Sequence, residues 1–327
     1  FRMSEGSSEA ASAEPSTASA QILPRVIWSY WHDGQLPRVA RQCVSSWTGQ
    51  APDWEVRLLN RTTVTEWLID GVDLPKTIWQ RKPEHQSDLI GLALQRRYGG
   101  VWIDATMFMT QPLDWLPRAL DAAGHRTETV GYVTAAGVPE LYFYASRAGS
   151  AFVTRWHAEL NALWERCATL SAPGCLDQYD APQRAAWART ATPIHAELRE
   201  HLHPGSVGQW VLRTHGEARA AFAPLATGAH PGPSLLLERA NARRPIRDKR
   251  DILPTLNALR APLPPDVSAT PLHKIQGAAQ QPSVEAVPGS WWDALLVLAL
   301  APPPPRQAAA AITVSTTAAT ATAATSS

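Results

Sequence analysis

Residues 87–106 read SDLIGLALQRRYGGVWIDAT, and this stretch decides the fold. Ser87 is a helix-capping residue type, and the spacing predicts a helix through residues 88–98 that the Gly99–Gly100 pair terminates. Val101, Trp102 and Ile103 then form a short apolar run of strand character, with Asp104 at its carboxyl end. A carboxylate in so apolar a neighbourhood is costly unless its charge is used. In open α/β sheets ligands bind outside the carboxyl ends of the strands, so the position matches a functional one. Helix and turn bring the chain back, so Asp88, at the expected helix start, and Asp104 face the same edge of the sheet.

The chain on the N-terminal side repeats the pattern. Val26, Ile27 and Trp28 read as a buried strand, followed by a loop with Gly34 and Pro37. Val39, Cys43, Val44 and Trp47 recur on one helix face. Trp54, Val56 and Leu58 alternate as a strand, and Thr63 with Glu66 has the spacing of a capping box opening a further helix. Strand, helix, strand, helix argues for an α/β architecture with a mostly parallel sheet. On the C-terminal side, Phe152, Val153, Trp156, Leu160, Leu163 and Trp164 mark a long amphipathic helix with Ser150 at its cap. Between 173 and 235 scattered Pro, Ala and His break the periodicity, and no order of elements is assigned.

The expected organisation is a polar tail over 1–21, one main domain over 22–280, and a Pro/Ala/Thr-rich tail over 281–327 containing a short apolar helix. The N-terminal segment has no apolar core and does not read as a signal peptide. WWDALLVLALA at 291–301 is far short of the roughly 20 residues that span a bilayer. It reads as a buried helix, with a membrane-surface anchor as the alternative.

The 327 residues carry 30 Lys and Arg against 29 Asp and Glu, a net charge of +1 that gives no support to nucleic-acid binding. Three cysteines, Cys43, Cys167 and Cys175, are odd in number and lack CxxC spacing. That argues against a disulfide framework or structural zinc and for a reducing, cytoplasmic setting. The 14 tryptophans mostly sit at amphipathic spacing, so core packing is expected ahead of sugar stacking. HLH at 201–203 reads as a solvated turn for want of a third ligand. The basic run RRPIRDKR at 243–250 reads as a solvated face, or else as a contact with phosphate or anionic lipid at a membrane surface.

Several blocks, in order, resemble the DXD-containing glycosyltransferases of the capsular polysaccharide synthesis type, which have a GT-A fold. They are LPRVIWSYWHDGQLP, SW-x6-WEVRLLN, HQSDLIGLALQRRYGGVWIDAT, QPLDWL, ELYFYASRAGSAF and, more weakly, PLHKI at 271–275. The resemblance implies a Rossmann-like GT-A sheet and a cytoplasmic enzyme, peripheral at the membrane if the basic run binds lipid. That enzyme transfers a hexose-type sugar from a nucleotide-diphosphate sugar to a cell-envelope glycan or glycolipid, with retention of configuration. Asp88 would contact the base or ribose, and Asp104 the ribose or a divalent cation, Mn²⁺ or Mg²⁺, bridging the diphosphate. Asp104 is the residue on which catalysis would depend. Trp31 and His32 would line the nucleotide pocket. Tyr142, Tyr144 and Ser146 are candidates for acceptor contact.

Where strict DXD enzymes carry a second carboxylate, this chain has Thr106, a far weaker metal ligand. His273 would then complete a metal shell, or Lys274 would neutralise the diphosphate as a fixed charge. Two other readings remain open: a non-catalytic relative that binds nucleotide sugars, and a phosphotransferase of the haloacid-dehalogenase type. The latter would use Asp104 as nucleophile and needs a small hydroxyl residue where Phe108 stands.

Overall fold

The Gly99–Gly100 turn is the hinge of the architecture. Both glycines hold positive φ, 66° and 99°. A Cβ on Gly99 would lie 2.8 Å from the Ser146 carbonyl oxygen, and one on Gly100 would lie 2.7 Å from that of Val26. Only glycine lets the chain leave a helix and enter the middle of a sheet at this point. A computed structural model of the chain describes residues 22–134, 136–167, 169–170, 172–188, 196–225, 233, 270–275 and 288–300.

In chain order the elements are β1 (Val26–Tyr30), α1 (Arg38–Gln50), β2 (Glu55–Leu59), α2 (Pro83–Tyr98), β3 (Gly100–Ile103), β4 (Met107–Met109), α3 (Trp115–Ala122), β5 (Thr129–Val133) and β6 (Pro139–Ser146). Then come α4 (Ala151–Arg166), α5 (Asp177–Ala188), α6 (Ala196–Thr214), α7 (Gly216–Ala220), β7 (Phe222–Pro224), β8 (Leu272–Lys274) and α8 (Trp291–Leu300). The main sheet has the order β2-β1-β3-β6-β5-β7. β2, β1 and β3 are parallel, β6 is antiparallel to both β3 and β5, and β7 is parallel to β5. Five of the six strands therefore run one way. This is the Rossmann-like, mostly parallel sheet flanked by helices that the sequence implies.

Side chains alternate across each strand, and the two faces take different partners. Trp28 and Trp102 pack on one side with α2 and α4, while Ile27, Val101 and Ile103 pack on the other with Trp47 of α1 and Leu116 of α3. The apolar run at β3 is continuous because both faces are covered. Trp28, Trp47, Trp102, Trp156, Trp164 and Trp292 are fully buried, so the tryptophans chiefly build these cores.

Several local expectations are corrected. α2 starts at Pro83, a residue suited to the first helical position, so Ser87 lies inside the helix and caps nothing. Thr63–Glu66 is a single 3₁₀ turn without a side-chain cap; the Asn60 carboxamide oxygen accepts from the Thr62 and Thr63 amides instead. Ser150 occupies the cap position of α4, but Glu128 takes the Ala151 amide at 2.7 Å. His203 is in no solvated turn: it is buried in α6 against Trp164 and His85. Pro204, lacking an N–H, leaves the Glu200 carbonyl without its helical donor, and His203 Nδ1 bonds to that oxygen.

Cys167 and Cys175 form a disulfide, with Cα atoms 6.2 Å apart, while Cys43 is free and buried. The odd cysteine count gave no warning, because one pair plus one core thiol satisfies it. The bond also removes the ground for expecting a reducing compartment. α8 buries Trp291, Trp292 and Leu295 against Val39, Cys43, Phe108 and Ile275, as a buried helix should. No helix among the described residues is long and apolar enough to cross a membrane. The basic run at 243–250 and the tails at 1–21 and 301–327 lie outside the described residues.

Candidate functional site

α2 and β3 diverge from the glycine turn side by side. From Tyr98 back to Asp88 is ten residues of helix, roughly 15 Å, and from Gly100 to Asp104 is four residues of extended chain, roughly 13 Å. The two carboxylates therefore arrive at the same level above the sheet, although Asp88 belongs to the second helical turn and not to the helix start. Both charges act on the buried Tyr144 hydroxyl of the adjacent strand β6. Burial raises its pKa well above the usual phenol value, and the charges of Asp88 and then Asp104 push it further the same way. Gly91 makes the fit possible, since a Cβ there would stand 2.9 Å from that hydroxyl.

Beyond Asp104 the chain turns, with the Met107 amide bonded to the Asp104 carbonyl, and enters β4. β4 pairs antiparallel with β8, placing Met107 opposite Lys274 and Phe108 opposite His273. The Ile275 amide bonds to the Thr106 carbonyl at 2.9 Å, and the Thr110 amide to that of Pro271 at 2.9 Å. So clamped, Lys274 reaches back across the turn. Its ammonium makes a close ion pair with Asp104 Oδ2 and donates to Thr106 Oγ1 at 3.0 Å. It also lies 5.7 Å from the ring centre of Tyr142, whose carbonyl accepts the Asp104 amide at 3.0 Å. With Lys274 only 12 % and Asp104 26 % exposed, this is a sheltered pair, not a solvated surface bridge.

The remaining expected residues divide. Trp31 follows β1 at the same sheet edge, half-buried, and among the described residues its indole N–H has no acceptor. His32 is exposed next to it, 3.6 Å from Asp33. Tyr142 stands over the Lys274 ammonium. Tyr144 is buried beneath the carboxylates, leaving it no surface to offer an acceptor. Ser146 is not in the site at all. β6 runs antiparallel to β3, so its end pairs with Gly100 at the far edge, and the fully buried Ser146 hydroxyl bonds within the core to Thr129. His273 is fully buried, and as the neighbour of Lys274 on a strand it points to the opposite face. It is not gathered with Asp104.

Mn²⁺ and Mg²⁺ want several hard oxygen ligands. Among the described residues no three His, Cys, Asp or Glu side chains converge to hold a metal. The first and third residues of the Asp104-Ala105-Thr106 triplet already hold an ammonium between them. A divalent ion on the same carboxylate would lie against that charge. Among the described residues the donor set does not fit a divalent cation held by side chains.

The capsular polysaccharide synthesis protein family matches residues 4–171, which is half of the chain and includes Asp88, Asp104 and Tyr142. The chain belongs to that family. Membership ends before β8, so Lys274 lies outside the matched region. Two curated relatives are glycosyltransferase afumC of Aspergillus fumigatus, 30 % identical over 48 % of this chain and 44 % of its own length, and O-glycosyltransferase braB of Annulohypoxylon truncatum, 27 % identical over 42 % and 37 %. The chain thus matches less than half the length of either relative. A solved structure titled PaToxG Glycosyltransferase covers 58 % of this chain and 87 % of its own at 10 % identity, with a TM-score of 0.36.

What sequence reading missed is the joint grip on Lys274 and the support behind it. α1 holds β4 through Trp47 Nε1, which donates to the Met107 carbonyl at 2.7 Å, and Ser46 Oγ, which accepts from the Met109 amide at 2.9 Å. α8 packs Trp292 edge-on against Phe108. The only signals were the apolar density of 291–300 and the brief PLHKI segment.

Proposed function

We propose that this chain is a glycosyltransferase that moves a hexose-type sugar from a nucleotide-diphosphate sugar to a hydroxyl acceptor. The observation that carries it is Asp104 at the carboxyl end of β3, with Asp88 of α2 near enough that both charges act on the Tyr144 hydroxyl, in a chain of this family. A family named for capsular polysaccharide synthesis supports a cell-envelope glycan or glycolipid as acceptor. A relative named an O-glycosyltransferase supports attack by an oxygen. Resemblance to the capsular type supports retention of configuration, in which the leaving diphosphate itself can take the acceptor's proton.

Chemistry assigns the parts. The half-buried Trp31 offers an indole face and an N–H to the base, and Asp88 accepts from ribose or base. Asp104 accepts from a ribose or sugar hydroxyl while fixing Lys274. No side chain is needed as nucleophile.

The test is release of nucleoside diphosphate from a panel of nucleotide sugars, with glycan or lipid acceptors. Asp104→Asn, which keeps shape and removes charge, is expected to lower transfer by at least about 100-fold while retaining a cooperative unfolding transition. Wild-type turnover in Asp104→Asn would overturn the site. A protein that binds nucleotide sugars but releases no diphosphate would be a binding relative instead.

A further inference from the structure

The ammonium of Lys274 occupies the place between Asp104 and Thr106 where a glycosyltransferase with an acidic triplet would hold its metal. We propose that Lys274 is the resident cation of this site, neutralising the donor diphosphate directly, so that donor binding and transfer need no divalent metal. The inference rests on the glycosyltransferase reading and adds to it the group that handles the leaving charge.

Three observations carry it. First, an ammonium has three N–H donors. Asp104 Oδ2 and Thr106 Oγ1 take two, and among the described residues no partner takes the third. Second, the group is fixed before ligand arrives. β8 is paired residue by residue with β4, the Ile275 amide is bonded to the Thr106 carbonyl, and the Tyr142 ring covers one side of the ammonium. A charge held in place does not have to be ordered when the leaving group forms, and sheltered from water it acts more strongly. Third, Thr106 is the right partner for an ammonium and a poor one for a metal: a neutral hydroxyl accepts from Lys274 without demanding a doubly charged ion.

The chemical step balances without a metal. The C1–O bond of the donor breaks, and its electron pair stays on the departing phosphate oxygen, which accepts the third N–H of Lys274. The acceptor oxygen bonds to C1, and its proton passes to the departing diphosphate.

The experiment is calorimetric titration of the protein with a panel of nucleoside diphosphates, in EDTA and in Mn²⁺. The expected result is binding in EDTA within threefold of that in Mn²⁺. Lys274→Met should weaken the preferred diphosphate at least tenfold while leaving the matching nucleoside unchanged, and Lys274→Arg should recover part of the loss. A residue that only supports the fold would weaken nucleoside and diphosphate alike. Thr106→Val, nearly isosteric, gives an independent reading should Lys274→Met fail to fold, with at least threefold weaker diphosphate binding in EDTA.

Binding that collapses in EDTA and returns with Mn²⁺ would overturn the inference and leave the donor reading standing. So would diphosphate affinity unchanged in the variants. If wild-type protein binds no nucleoside diphosphate or nucleotide sugar in either buffer, the donor reading itself falls and takes the inference with it.

Discussion

His157, in the second turn of α4, ties acid stability to the frame behind the site. It is buried, and its Nε2 bonds to the Asp73 carbonyl at 2.7 Å. A carbonyl only accepts, so Nε2 carries a proton. The Asp73 carboxylate meanwhile holds Arg96 at 2.6 Å and Arg97 at 2.7 Å near the end of α2. Burial, with Arg96 adding to it, pushes the His157 pKa down to about 4, against the opposing pull of the Asp73 carbonyl. The unfolded chain takes up this proton near pH 6.5 and the folded chain only near pH 4. Stability is therefore full above about pH 6.5 and is lost as pH falls toward 4, by up to about 3 kcal/mol. His203, whose pKa burial and then the neighbouring His85 also lower, acts in the same direction. Urea midpoints measured from pH 7 to 4 should fall over this window, and His157→Gln should show a shallower slope. An unchanged slope in the variant would show that His157 titrates freely in the folded protein.

At the scale of elements, α8 lies farthest in sequence from β3 yet stands directly behind β4 and β8. Trp292 is fully buried and meets Phe108 edge to face at 5.4 Å. Trp292→Ala should cost about 3–5 kcal/mol. It should also loosen the pairing of β8 with β4, and so the position of Lys274. Hydrogen exchange at the Ile275 amide, which bonds to Thr106, is expected to quicken more than at the β1 amides; equal changes would mean α8 supports only the global fold. The same element shows what the sequence could and could not say. Its apolar density marked it as buried, but no periodicity tells which surface receives it. β1, α1, β2 and the α2–β3 unit were legible because consecutive elements are neighbours and glycine marks their turns. α6 was not, since the Pro, Ala and His scattered through 173–235 break the periodicity. In the fold Gly208 admits Trp156, to which an added Cβ would come within 2.6 Å, and the Pro204 carbonyl accepts that indole N–H at 2.8 Å. Asp104 was legible for the opposite reason: an acid after an apolar strand has few uses in a core. The resemblance offered Lys274 as a fixed charge for the diphosphate, but its bond to Asp104 joins residues 170 positions apart and only the topology supplies it.

Across the whole molecule, the face of the sheet covered by α2 and α4 is completed by α5, α6 and α7. Cys167 and Cys175 close the crossing from α4 to α5, with a sequence separation of eight. Arg81, just before α2, donates to the carbonyls of Trp164 and Cys167 at 2.8 and 2.7 Å, so this crossing is tied to the helix that carries Asp88. A loop so short still removes chain entropy from the unfolded state, on the order of 2–3 kcal/mol. Reduction should accordingly lower the melting temperature by roughly 5 °C or more, and Cys175→Ser should reproduce that shift without a reductant. Thiol counting in denaturant tests the premise directly. One reactive thiol, Cys43, is expected before reduction and three after it. Three thiols in protein that was never reduced would mean that this crossing is held by the Arg81 contacts and by packing alone.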